Sequence, residues 1–416
     1  MAKFNYKSSR YLFKTIFLIS LTALGTMVMI PFAVESNVAK KTFNSISPFC
    51  KVLSEKFSPF GAAPDLSVAL GEAIAEGGNL NQTCDILGEK WLPLNVLLST
   101  DETEALAERL IQTGVNVNAK DGKGDTPLHY LGKSEKNARL LLSRGAKVNV
   151  RNKNGTTPLH NIFGEKSAAV IKLLIDGGAN VNARNQEQMT PLHLVPNSGK
   201  ADITELLIRS GADINARSNQ DWTPLHYAAS HLEIAKKLIE AGADLTIQNR
   251  QGAVIHSQGI NPTVLQLLLD QGVDVNLRNP QGQTPLHVHR QSSLIKLLLE
   301  RGAKVNLQDA EGKTPLYDVN LEVAQLLVAA NADLNVQDNL GRTPLHQAVL
   351  EEQSFFGPEL ATLFLSKNAR VDLNDKEGKT ALDLARQLNK TQIINLLEQH
   401  IATKNSAGSG TSTTKA

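Results

Sequence analysis

Ten histidines and a recurring set of carboxylates are the residues in this 416-residue chain that offer chemistry. Seven of the histidines (His129, His160, His193, His226, His256, His287 and His346) occupy the same place in a repeated segment, so neighbours lie a whole segment apart. A zinc site needs imidazoles or thiolates converging at short spacing, and this ladder supplies one imidazole per segment. His289 follows His287 by two residues, which puts the pair on different sides of a helix. His400 sits near the tail, and no metal or cofactor is expected. The carboxylates Asp121, Asp125, Asp221, Asp309, Glu311, Asp338, Asp375 and Glu377 recur in short polar segments that read as turns. Acid–base hydrolysis needs two such groups aimed into one pocket. No Gly-x-Ser-x-Gly elbow, phosphate-cradling glycine loop or His-Glu-x-x-His pattern is present. The expectation is a protein without catalytic activity.

The elements that hold these residues are copies of one unit. Thr-Pro-Leu-His begins at Thr126, Thr157, Thr190, Thr223, Thr284 and Thr343, with weaker copies at Leu92, Val254, Thr314 and Thr380. Thr can cap a helix, and Pro fits the first helical position, where its missing N–H costs nothing. A second helix follows, with apolar pairs such as Leu140–Leu141, Leu173–Leu174, Leu206–Leu207 and Leu297–Leu298. It ends at a glycine (Gly77, Gly114, Gly145, Gly178, Gly211, Gly242, Gly272, Gly302) or, in the last two copies, at Asn331 and Asn368. Both residue types tolerate the left-handed turn required there. A Val-Asn or Ile-Asn pair then leads into a β-turn finger.

A period near 33 residues with this tetrapeptide resembles the ankyrin repeat family, from about residue 66 to residue 399. The resemblance implies an all-α solenoid of about nine full and two partial repeats, each a helical hairpin with a β-turn finger. It also implies that the motif histidines hydrogen-bond backbone in a neighbouring turn, and that His231 fills a further framework position between helices. The asparagines of the Val-Asn pairs read as local turn-formers rather than ligands.

The copies differ in length. From motif His to terminal Gly the family interval is 18 residues, as for His160–Gly178 and His193–Gly211. It is 16 after His129, His226 and His256, 15 after His287, 14 from Tyr317 to Asn331, and 22 from His346 to Asn368. The deletions must shorten the inner helix or the loop joining the two helices. The insertion brings in Phe355 and Phe356, either as an apolar grip for a partner or as packing on the next helix.

The ends lie outside the array. Lys3, Lys7, Arg10 and Lys14 precede an uncharged run, residues 15–34, so residues 1–36 read as either a cleaved export signal or a membrane anchor. The basic flank would stay in the cytoplasm while the repeats cross, leaving an exported, periplasmic or tethered protein. Residues 37–64 read as a linker, 65–399 as the array and 400–416 as a disordered tail. Cys50 and Cys84, the only cysteines, either pair across the linker or are unrelated thiols. Pairing would give roughly 3–4 kcal/mol by chain entropy. A net charge of +2, from 43 basic and 41 acidic residues, gives no case for nucleic acid. Contact with a membrane is expected only through residues 15–34.

What remains is protein binding, which the resemblance assigns to the fingers and inner helices. The positions before Thr-Pro and after His vary from copy to copy over a fixed framework. The expected partner-binding residues are Trp222, Tyr227, Tyr130, Met189, Arg250, Gln251, Lys313, Asp318 and Arg342. Trp222 stands out, since tryptophan is enriched in binding hot spots; packing on a neighbouring shelf is its alternative role. Two other readings stay open: a tethered adaptor facing the cytosol, and an accessory to an enzyme or metal-handling system.

Overall fold

A computed structural model of the chain describes residues 50–53, 66–75, 79–86, 88–99, 103–162, 166–350 and 357–408. The apolar run at 15–34, most of the linker, Gly77, the Phe355–Phe356 insertion and the last eight residues lie outside the described residues. The chain divides into two compact units, one through Ala212 and the other from Asp213 onward.

The first unit opens with a helix, Leu66–Ala75, and an antiparallel hairpin of β1 (Cys84–Ile86) and β2 (Glu89–Trp91). The hairpin was not foreseen in an all-helical reading. Cys84 lies across from Trp91 in its register, and Cys84 is joined to Cys50 by a disulfide with a Cα–Cα distance of 5.1 Å. Outer helices follow at Glu104–Gln112, Glu135–Ser143, Ala168–Asp176 and Ala201–Arg209. The second unit repeats the pattern at Leu232–Glu240, Pro262–Asp270, Ser292–Glu300 and Leu321–Ala329, then closes with Gly357–Ser366, Ala381–Gln387 and Thr391–Gly408.

The first eight outer helices each contain nine residues. Seven of them bury a triplet at i, i+1 and i+4, such as Ile234, Ala235 and Leu238, or Val264, Leu265 and Leu268, and the first buries Ala107, Leu110 and Ile111 at i, i+3 and i+4. That spacing puts three side chains on one stripe of a helix, and each fully buried Leu, Ile or Val stabilises by about 1.5–3 kcal/mol relative to exposure. Four of these eight helices are capped by a side chain: Ser134, Ser167, Asn261 and Asn320 accept N–H bonds from the first turn. Their far ends pass through left-handed residues, and Asn331 (φ 65°) and Asn368 (φ 62°) take the conformation that glycine takes elsewhere.

The deletions fall between the motif residue and the outer helix, which keeps nine residues throughout. In the shortened repeats Pro127–Tyr130 and Val254–His256 are single 3-10 turns, and Pro224–Tyr227 and Pro285–Val288 are one α-turn. Where the interval is shortest, residues 315–318 form only a turn. Pro344–Leu350, before the insertion, reaches seven residues. The outer helix carries the interior stripe and cannot be trimmed without opening a cavity. The closing helix runs on to Gly408, past the boundary expected at residue 399, because nothing from Ile401 to Ala407 breaks it.

Candidate functional site

The motif histidines are built into the framework. In each of Thr126–His129, Thr157–His160, Thr223–His226, Thr284–His287 and Thr343–His346, the Thr backbone N–H donates to His Nδ1 over 3.0–3.2 Å. A backbone N–H can only donate, so Nδ1 is the acceptor and the ring proton is on Nε2. Nε2 then donates to the next segment's carbonyl: Thr156, Met189, Gly252, Lys313 and Lys379, at 3.1–3.2 Å. One imidazole thus satisfies two buried backbone groups and ties consecutive repeats together. Burial lowers the pKa of His129, His160 and His226 to about 4, so these rings are neutral at neutral pH. Tyr317 makes the link to the next repeat with its hydroxyl, whose single proton is aimed between the carbonyls of Arg342 (2.6 Å) and Val336 (2.8 Å).

Three further ladders use up the other regular polar residues. Asn149 Nδ2 donates to Gly178 O (2.9 Å) while its Oδ1 accepts from Asn180 N (2.8 Å). Asn118 spans to Gly145 and Lys147 in the same way. Most fingers begin with Asp or Asn, whose Oδ1 accepts from the N–H groups two and four residues on, as at Asp121, Asn152, Asp309, Asp338 and Asp375; in the finger that carries Trp222 the Ser218 hydroxyl takes this place. Backbone bonds also link adjacent fingers, as in Lys153 N→Lys123 O and Asn339 N→Glu311 O.

The third ladder was not foreseen. In the second unit, Arg217 donates to Gln248 O, Gln248 to Arg278 O, Arg278 to Gln308 O, Gln308 to Gln337 O and Gln337 to Asn374 O. The recurrence of Arg or Gln two positions after the Val-Asn asparagine was the available signal. His289 was also missed: it is buried, donates toward Ile255 O (2.9 Å), and burial lowers its pKa to about 4. Among the described residues, no three His, Cys, Asp or Glu side chains gather where they could hold a metal.

The residues expected to meet a partner separate into different environments. Trp222 is half-buried, its ring 5.2 Å from Tyr227 and 5.9 Å from His226 between centroids. Arg250 and Gln251 are exposed on the following finger, their carbonyls accepting from Gln281 and Asn279. Met189 departs from the expectation. It is only 6% exposed, so this side chain turns inward and leaves the rim. Tyr130 packs on Trp91 at 5.4 Å, and its hydroxyl reaches into a buried acidic cluster.

The structure brings Lys313, Asp318 and Arg342 together in the second unit. Lys313 Nζ lies 3.1 Å from Glu311 and 3.5 Å from Asp318, and Gln347 donates to Asp318. Lys313 and Arg342, with Glu311, Asp338, Leu340 and Gln347, line a groove of about 300 Å³ between two fingers. Leu340 at its lip is 53% exposed, and Arg342 Nε has no hydrogen-bond acceptor. Such a groove has room to seat a side chain from another chain.

Repeated helical hairpins, joined by fingers and presenting varied side chains over a fixed polar framework, define a protein-interaction array. The family model for ankyrin repeats matches residues 89–185, 132–218, 159–249, 253–319 and 317–407, and the chain belongs to the ankyrin repeat family. No curated protein matches it. Among solved structures, the ankyrin repeat domain of human ASB11 is similar at 29% identity, with a TM-score of 0.47, over 51% of this chain and 98% of that one.

Proposed function

We propose that this chain is a non-catalytic scaffold that holds a protein partner outside the cytoplasm, on the side chains that vary from repeat to repeat over its fixed framework. The observation that carries the reading is the division of labour among polar groups. The motif His, the Val-Asn asparagines and the Arg/Gln rungs are spent on bonds between repeats. The residues before Thr-Pro and after His carry Trp222, Tyr227, Lys313 and Arg342 on or near the surface. Aromatic and arginine side chains in such places supply most of the affinity at protein interfaces.

Export rests on two supports: the basic flank followed by an uncharged run at 15–34, and the Cys50–Cys84 disulfide, a bond that persists in oxidising compartments. Among the described residues no helix is long and apolar enough to cross a membrane. A reporter active on one face of the membrane, fused after residue 100, tests the topology; cytosolic activity overturns it. For binding, Trp222→Ala should reduce in-cell cross-linking to the partner at least tenfold while moving the urea midpoint little. A large loss of stability with unchanged cross-linking would mark Trp222 as packing alone.

A further inference from the structure

The first finger holds two carboxylates that the other fingers do not combine. Asp121 and Asp125 are 8% and 7% exposed, and the hydroxyl of Tyr130 sits between them. It donates to Asp121 Oδ2 at 2.9 Å, and its oxygen lies 3.3 Å from Asp125 Oδ2. A phenol has one proton. With that proton on Asp121, the second contact is a hydrogen bond only when Asp125 carries a proton and donates it to the Tyr130 oxygen. Asn95, fully buried, donates Nδ2 to Asp121 Oδ2 (3.1 Å), and Asn152 donates to Asp125 Oδ1 (2.7 Å); neither feeds the Tyr130–Asp125 contact.

We propose that Asp121, Tyr130 and Asp125 form a proton-operated latch: one proton shared by the carboxylates keeps Tyr130 seated against Trp91, and its loss unseats the ring. Tyr130 is one of the residues expected to meet a partner, so the latch would make presentation of the first finger depend on acidity. In this respect the inference rests on the function proposed above, but the latch itself does not need a partner.

The surroundings favour holding the proton. Burial pushes both carboxyls above their usual range, and each also feels hydrogen bonds that pull the other way. Lys123 on the same finger and Lys166, buried in the loop before Ala168–Asp176, are the cations that oppose this at Asp125. Lys123 is itself held by Glu89 of β2 at 2.7 Å and lies 5.0 Å above Trp91, while Lys166 Nζ is bonded to the carbonyl of Pro158 (2.9 Å). His129 lies 3.7 Å from Asp125, but with its pKa lowered to about 4 it is neutral where the latch would open. Outer helices packed nearby carry their charges in pairs, Lys136 with Glu108 and Arg139 with Glu135. The sign follows: a carboxyl raised in the folded state binds its proton more tightly there, so stability from the cluster falls as pH rises through the folded value.

The test uses the full chain with Trp222→Phe, leaving Trp91 as its one tryptophan. Trp91 emission is followed from about pH 4 to about pH 9. The latch predicts a single one-proton step above the usual carboxylate range. Tyr130→Phe should abolish it. Asp125→Asn should hold the emission at its acid-side value throughout, because a carboxamide donates to Tyr130 at every pH. Asp121→Asn, a residue that four other fingers (Asn152, Asn185, Asn249, Asn279) use at this position, provides a second variant that also removes the step. A flat profile in the parent, or a step that survives Asp125→Asn and Tyr130→Phe, overturns the latch. Loss of partner cross-linking bears only on the proposed function.

Discussion

Removing one framework imidazole should cost more than any change on the variable surface, and His160 is the cleanest place to measure it. The ring is fully buried, accepts from Thr157 N at 3.1 Å and donates to Met189 O at 3.1 Å. His160→Ala leaves the buried Thr157 N–H without a partner, at about 1–3 kcal/mol, and removes one of two bonds to the Met189 carbonyl, which keeps the Asn185 N–H, at about 0.5–1.5 kcal/mol. The total is then about 1.5–4.5 kcal/mol before any water enters the cavity. A second signature separates this from ordinary cavity formation. His160 titrates at about 4 when folded, against about 6.5 when unfolded, so the unfolded chain binds the extra proton between those values. Stability must therefore fall as pH drops from about 6.5 to about 4, by up to about 1.4 kcal/mol per pH unit for each such histidine. Urea unfolding of parent and variant at several pH values reads both effects. The variant should be weaker at pH 7 by the stated amount and shallower in acid by one proton. A loss under about 1 kcal/mol, or an unchanged acid slope, would refute the assignment of His160 as a neutral two-bond link.

Gly155 sits at φ 72°, and an added Cβ would lie 3.1 Å from Gln186 N, the donor of the bond between those two fingers; Gly155→Ala should cost about 1–2 kcal/mol in urea unfolding. Asn149→Ala removes both bonds to the next repeat on an exposed edge, so about 1–2 kcal/mol is expected, with Asn149→Asp recovering only the half that accepts. His287→Tyr should cost less than His287→Ala by at least about 1 kcal/mol, since Tyr317 makes the equivalent link at its own position; equal losses would show that the hydroxyl reach is peculiar to that repeat.

The fold was legible because its instructions are local and repeated. Thr, Pro, Gly and Asn act on their own backbone, and the outer-helix stripe shows in spacing alone. The chemistry of the motif histidines was legible for a related reason: equal spacing forbids convergence. What was hidden depends on distances between repeats. Nothing in the letters says that Arg278 reaches the carbonyl of Gln308, or that His289 turns back to Ile255. Met189 and Trp222 occupy the same place in the motif, yet one side chain is buried and the other half-exposed. Asp121 and Asp125 read as turn residues, and Asp121 is one; their sharing of Tyr130 depends on the inner turn that carries the ring over the finger.

Eight outer helices of identical length beside inner turns of unequal length carry a consequence for how such a chain changes. Because the motif turn and the outer segment each keep their own packing against the next repeat, residues between the motif imidazole and that segment can be lost or gained without resetting the contact between neighbours. Length variation is thus channelled into the layer proposed to meet a partner, and a designer could resize a single slot there while leaving adjacent slots in register.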